Sequence, residues 1–309
     1  MTGSFDHPAL VYRTAEEFLE PMVPFVVRGV EREEPVFVAV GPEELAALRG
    51  AVGDGAVHVR WHDTREWHPH PATRLRAIHV FVSDAMRSGA ARVRLVGEPL
   101  WPARPPELAR EWARYEAALN AVLAPFPITL VCTYDASRLA PDVVADAART
   151  HPVLGLDPSR RSRDYEDPAS LVARWTADLV PPPPDATVSS DPTDPASVRA
   201  FVGDHARRAG LPADRVHDLE LAVDEVVTNA LVHGGGDTTV RTWLDDGHVI
   251  CQVDDHGPGV PDALAGYRPP GPDHVQGRGL WITRQVVDLL EVVSTPTGTS
   301  VRVRMRVAP

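Results

Sequence analysis

The 309-residue sequence contains no lysine, so every one of its 31 Lys/Arg positions is an arginine. That absence excludes a phosphate-binding loop of the GxxxxGK[ST] kind, and any nucleotide site must use another design. Cysteine is nearly absent too. Cys132 and Cys251 lie far apart, each in an apolar, strand-like run, which fits a reducing cytoplasm better than a disulfide framework. No apolar run reaches the roughly 18 residues of a membrane span. The opening MTGSFDHPAL lacks the basic region and apolar core of a secretory signal, so a cytoplasmic location is expected. The net charge of −12 has the wrong sign for a protein that grips nucleic acid through its phosphates.

What is present divides the chain. The run PPPPD at 181–185 can continue neither a helix nor a central strand, and polar, turn-rich stretches flank it. Two domains are expected, at 1–158 and 187–309, with a proline-rich linker at 159–186 in which ASLVARWTADLV forms a short connecting helix. No internal repeat is found. The first domain alternates strand-like runs (ALVYRT, PVFVAVG, VHVRW, ARVRLVG, ITLVCTY) with helix-like ones (EEFLEPMVPFVVRGV, PEELAALRGAV, ELAREWARYEAALNAVL). That order predicts an α/β fold with a mostly parallel sheet.

The second domain reads as α+β, with helices packed on one face of a mostly antiparallel sheet. A helix over ASVRAFVGDHARRAG ends at Gly210, and a second starts after Leu211-Pro212. A hairpin follows across Asp245-Asp246-Gly247, then a loop, a helix through QGRGLWITRQVVDLL and two strands. In the last strand Val301, Val303, Met305 and Val307 alternate with Arg302, Arg304 and Arg306, which reads as a solvated arginine face.

Chemistry concentrates in four places in this domain. On the second helix Val216, Leu219, Val223, Val226 and Ala230 form a core stripe, and Glu225, Asn229 and His233 form a second line four residues apart. Alone, that line reads as a solvated face, although Asn is a poor helix former. Next, Asp255-x-Gly257-x-Gly259 ends an alternating strand, placing a carboxylate where backbone can approach a flat ligand closely. Gly277 and Gly279 precede a helix whose free N–H groups suit phosphate. Last, Thr297-Gly298-Thr299 makes a turn between the final strands.

In this order the four pieces resemble the boxes of the GHKL ATPases: ExxxN, DxGxG, GxG and GT. TNALVHG and GRGLWITRQVVD are most similar to the anti-sigma-factor serine kinases, the RsbW-like branch. The resemblance covers about 187–309 and implies a Bergerat-type ATP-binding α+β sandwich. It implies Asn229 as the ligand of a Mg²⁺ bridging the ATP phosphates and Glu225 as general base. His233 falls near the phosphates or lid, Asp255 on the adenine amine, and Thr299 near the adenine end. Backbone around Gly277, Arg278, Gly279 and Leu280 would cradle phosphate, and 260–276 would be the lid. Two departures stand out: Gln276 replaces a glycine common in relatives, and the lid is rich in proline.

The implied activity is phosphorylation of a serine or threonine on an anti-anti-sigma (STAS) partner, with sequestration of a sigma factor and homodimerisation as further traits of the branch. Two alternatives stand beside it. One is a non-catalytic, ATP-responsive module that holds a sigma factor. The other is an orphan sensor histidine kinase, which would need a dimerisation hairpin. His205 sits on a helix that no second long helix is expected to partner, and the proline spacer and one short helix occupy the hairpin's place.

In the first domain, His58, His62, His68 and His70 match no zinc spacing and read as surface-loop histidines. The phrases DHPALVY, VGEPLW, WARYEAALN, VCTYD and THPVL resemble the MEDS sensory domain over about 5–158. The resemblance implies an α/β sensor of a small molecule. His7, Tyr12, Glu98, Glu116, Cys132, Tyr134 and His151 are the positions for its pocket. The same residues read equally as packing groups, and a metal among them stays open.

Overall fold

Val36–Val40 (VFVAV) is buried at every position, as a strand covered on both faces must be. It belongs to the first of two units, 1–171 and 172–309, in a computed structural model that describes residues 4–68, 70–99, 106–176, 179–235, 237–270 and 278–307. The elements of the first unit run β1 (Pro8–Tyr12), α1 (Ala15–Glu31), β2 (Val36–Val40), α2 (Pro42–Val52), β3 (Val59–Asp63) and α3 (Pro71–Arg87). They continue with β4 (Val93–Gly97), α4 (Pro106–Val122), β5 (Ile128–Asp135), α5 (Pro141–Thr150) and β6 (Val153–Leu154). Among the described residues six strands form one sheet in the order β3-β2-β4-β5-β1-β6, with every pairing parallel.

Side-chain alternation divides this sheet into two faces. Val36, Val38, Val40, Val96 and Val131 join Phe18, Met22 and Phe25 of α1 and Leu48 of α2 in one core. The neighbouring positions Phe37, Ala39, Leu95, Leu130 and Cys132 therefore face the other way, toward Ile78 of α3 and Tyr115 and Glu116 of α4. Thr14 caps α1 by accepting from the Glu17 N–H at 3.2 Å.

Helix α6 (Pro168–Trp175) runs across the division between the units, within the stretch expected to be linker. The second unit contains β7 (Thr187–Val188), α7 (Pro195–Arg208), α8 (Ala213–His233), β8 (Thr238–Asp245), β9 (His248–Asp255), α9 (Arg278–Val286), β10 (Leu289–Thr295) and β11 (Gly298–Arg306). Its strands are antiparallel in the order β10-β11-β9-β8-β7. Asp194 caps α7 through the Ala196 and Ser197 N–H groups, with Pro195 at the first helical position. The β8–β9 turn uses Asp246 at φ 44° and Gly247 at φ 70°, the paired positive values of a tight hairpin. Val202 of α7, Leu219 and Val223 of α8, and Val253, Val303 and Met305 of the sheet share one core.

Three expectations need correction here. The helix after Gly279 ends at Val286, and Leu289 and Leu290 begin β10. Their apolar side chains fit either period, and pairing with β11 decides. The arginine row is not uniformly solvated. Arg302 is only 3% exposed: its guanidinium donates to Gln252 Oε1 and, at 2.6 Å, to the Val180 carbonyl, and lies 5.1 Å from the Trp243 ring centre. The chain around Val180 crosses that face of the sheet, so a buried arginine is satisfied by neutral acceptors. Finally, His205 does lie on a helix packed against a long one, but the partner is α8 of the same unit. No helix among the described residues is long and apolar enough to cross a membrane.

Leu219 has no exposed surface, and its neighbours are held by three helices and a sheet. Leu219→Ala is expected to cost about 2–5 kcal/mol, read as a lower denaturation midpoint of the second unit.

Candidate functional site

The stripe of α8 fixes the line beside it. Val216, Leu219, Val223, Val226 and Ala230 are buried against the sheet and α7, so Glu225 and Asn229 come out half-buried and His233 exposed at the helix end. Ladder register supplies the next group. Asp255 ends β9 opposite Thr238 of β8 on one side and Thr299 of β11 on the other. Its Oδ1 accepts the Gly257 N–H at 2.9 Å, which orients the carboxylate.

Two glycines mark close approaches, one to backbone and one to side-chain ends. A Cβ on Gly257 would lie 2.5 Å from the His233 carbonyl oxygen, so the loop after β9 touches the end of α8 only with glycine there. A Cβ on Gly279, in the first turn of α9, would lie 2.7 Å from Asn229 Nδ2 and 2.9 Å from Glu225 Oε2. The two polar side chains of α8 therefore converge on the start of the next helix.

A cavity of about 180 Å³ opens between these elements, lined by Asn229, His233, Asp255, Gly259, Leu280 and Thr299 among others. It is smaller than the roughly 300–1,000 Å³ typical of a whole ligand site. Arg278 is exposed at the start of α9. Gly277, and residues 271–276 of the expected lid including Gln276, lie outside the described residues. The described part of that lid is anchored rather than free: Leu264 and Tyr267 are buried, and the Arg284 guanidinium lies 4.0 Å from the Tyr267 ring centre. Val260 and Ala265 of the same loop line the cavity, which their apolar, signal-free context did not suggest.

In the first unit the seven pocket candidates separate into two groups. His7 precedes β1, Glu116 lies on α4, Cys132 and Tyr134 lie on β5, and His151 follows α5. These five come together, and His7, Glu116, Cys132 and His151 offer donor atoms all within 4.8 Å of one another. Burial pushes His7 down to about 3, helped by His151, and His151 down to about 4. Burial also raises the Glu116 carboxyl and the Cys132 thiol above their usual ranges. Asn120, not singled out from the sequence, holds this group: its Oδ1 is 3.1 Å from His7 Nδ1 and its Nδ2 donates to the Thr150 carbonyl at 2.8 Å. A mid-helix asparagine was the available signal.

Tyr12 and Glu98 sit elsewhere, at the carboxyl ends of β1 and β4, beside Asp135 and Glu44. The Gly41 N–H donates to Glu98 Oε2 at 2.6 Å there. Such a crevice is where parallel sheets bind ligands. A separate cavity of about 20 Å³, enough for one water-sized molecule, touches Glu116, Cys132, Trp67 and Arg74. Arg74 is buried, and its guanidinium donates to the Thr64, Trp67, His68 and Glu98 carbonyls, tying down the loop after β3. The four-histidine stretch forms no donor cluster among the described residues. His62 instead stacks on Phe37, with ring centres 4.9 Å apart.

Residues 6–152 match the family described as MEDS, the MEthanogen/methylotroph, DcmR Sensory domain, and residues 188–305 match the histidine kinase-like ATPase domain. An anti-sigma F factor of Caldanaerobacter subterraneus subsp. tengcongensis is 30% identical over 113 residues, covering 34% of this chain and 79% of that protein. The chain joins a MEDS domain to a histidine kinase-like ATPase domain of the anti-sigma-factor family. A second anti-sigma F factor, from Thermoanaerobacter pseudethanolicus, is 29% identical over 113 residues with the same 34% and 79% shares. Among solved structures, the RsbU and RsbW domains of a Mycobacterium tuberculosis protein align at 20% identity over 41% of this chain and 33% of that one, with a TM-score of 0.29.

In the MEDS domain burial holds the Glu98 carboxyl up to about 7, against an ordinary 4.5. The folded state therefore keeps that proton to higher pH than the unfolded chain does, and its contribution to stability falls as pH rises between those values. Glu98→Gln removes this loss. The melting temperature of the variant relative to the parent is expected to rise from about pH 5 to about pH 8, measured by thermal unfolding of both chains across that range.

Proposed function

We propose that the second unit binds ATP with Mg²⁺ and phosphorylates a serine or threonine on an anti-anti-sigma (STAS-type) protein. In the same reading it sequesters a sigma factor, and a small molecule bound by the MEDS domain regulates the output. The observation that carries the proposal is the convergence of Glu225 and Asn229 on Gly279 at the start of α9. A carboxylate and an amide side by side at a helix N-terminus suit phosphoryl transfer, in which positioning and charge stabilisation do most of the work.

The residues present fit this chemistry. Mg²⁺ takes oxygen ligands and keeps several waters, so a single amide oxygen beside phosphates suffices. Asn229 turns Nδ2 toward Gly279, and a half-turn of the amide exchanges it for Oδ1. Bound Mg²⁺ would supply neutralisation of phosphate charge. Glu225 accepts the proton of the partner's hydroxyl as that oxygen bonds to the γ-phosphorus. The bond from the γ-phosphorus to the bridging oxygen breaks, and ADP leaves. Asp255, with one oxygen occupied by the Gly257 N–H, keeps acceptor capacity for an adenine amine. Leu280 and Val253 offer apolar cover to the ring.

Glu225→Ala is expected to lower transfer to the partner by at least about 100-fold while calorimetric ATP affinity stays nearly unchanged. Transfer at the parental rate overturns the role of Glu225 as base. Asn229→Ala is expected to abolish the difference in ATP affinity with and without Mg²⁺, and an undiminished difference removes that residue from the metal. Acid-labile phosphate on the chain itself would identify an autophosphorylating histidine kinase instead. ATP binding without transfer to any partner would identify a binding module.

A further inference from the structure

Four donor groups from four separate elements meet inside the first unit. His7 Nε2 is 3.3 Å from Cys132 Sγ and 3.7 Å from Glu116 Oε2, and His151 Nε2 is 3.3 Å from the same Glu116 oxygen. None of the four residues is more than 2% exposed. The two imidazole centres are 4.0 Å apart.

The hydrogen bonds behind the rings settle which nitrogens face inward as lone pairs. Asn120 Nδ2 donates to the Thr150 carbonyl, so Oδ1 is the end turned to His7 and can only accept. His7 Nδ1 must then carry the proton. The Ala147 carbonyl lies 2.9 Å from His151 Nδ1 and likewise only accepts. Both neutral rings therefore present Nε2 as an acceptor toward Cys132 and Glu116. An outward Nδ1–H held by a carbonyl or amide oxygen is the arrangement that orients metal-binding histidines.

The competing arrangement is a neutral packed cluster, and it is poorly satisfied. His151 Nε2 and Glu116 Oε1 are buried without a hydrogen-bond partner. Buried polar groups are ordinarily paired, and each exception requires a cause. A cation at the centre of the cluster gives His151 Nε2 a partner, and a carboxylate that binds it through both oxygens gives one to Glu116 Oε1 as well.

We propose that His7, Glu116, Cys132 and His151 bind one Zn²⁺ ion inside the MEDS domain. Two imidazole nitrogens, a thiolate and a carboxylate are a ligand set that tetrahedral zinc accepts. Zinc–ligand bonds of about 2.0–2.3 Å put donor pairs of a tetrahedron roughly 3.3–3.8 Å apart, the range of the three separations above. Two anionic ligands neutralise the dication, so the loaded site carries no net charge into the interior. The ion ties the entry to β1, the centre of β5, α4 and the end of α5 to one point. This assignment does not depend on the ATP reading of the second unit.

The test is metal analysis of the purified full chain, followed by Co²⁺ addition to chelator-treated protein. One equivalent of zinc per chain is expected, with the visible bands of tetrahedral cobalt and a thiolate-to-cobalt charge-transfer band. Cys132→Ser should abolish the charge-transfer band, whereas Cys251→Ser, in the core of the second unit, should leave it intact. Zinc should also raise the melting temperature of the parent chain. Zinc far below one equivalent together with no cobalt bands in the parent chain overturns the proposal, whatever the variants do. A charge-transfer band that survives in folded Cys132→Ser overturns it as well.

Discussion

Helix α8 carries two jobs on one cylinder, and the second unit depends on that geometry. Its 3.6-residue period puts Val216, Leu219, Val223, Val226 and Ala230 into the core while Glu225 and Asn229 stand one step around the surface. Burial of five apolar side chains sets the rotation of the helix about its axis. That rotation alone aims the polar line at the first turn of α9, and no loop needs to position it. A site carried on a packed helix is held to a precision that loops do not supply.

The sheet makes the matching contribution. Antiparallel register brings Thr238, Asp255 and Thr299 side by side, although they come from segments far apart in sequence. Because side chains alternate along each strand, the same register sends Val253, Val301 and Val303 inward to the helices. A slip by one residue would lose both the core and the carboxylate together. Glycine at 257 and 279 then permits the contacts that bring the loop and the second helix to within atomic reach of α8.

The MEDS domain spends its burial differently. Both faces of its parallel sheet are covered, and one of them encloses two histidines, a glutamate, a cysteine and a tyrosine. Desolvation disfavours the charged form of every one of these groups, which is why their affinities for protons move in opposite directions for acids and bases. Such a concentration of polar groups contributes little to folding unless something inside pairs with it. Tyr12 and Glu98 face a different environment, at the strand ends beside other carboxylates.

Local pattern made much of the fold legible. The alternation of strands and helices in the first unit, the stripe of α8, and the hairpin at Asp246-Gly247 follow from periodicity and turn chemistry, which neighbouring residues determine. The four boxes were readable because their order and spacing are local too. The strand at Leu289 was not readable, since a short apolar run satisfies both periods and only pairing with β11 separates them. Nor was the burial of Arg302, which depends on a segment more than a hundred residues earlier covering that face of the sheet. By itself the sequence determined most of the elements and the residue types gathered in the candidate site, because propensity and periodicity act between near neighbours. Only the tertiary structure decided that His7, Glu116, Cys132 and His151 share a centre while Tyr12 and Glu98 do not. Strand order and helix docking bring remote residues together, and no spacing along the chain encodes that distance.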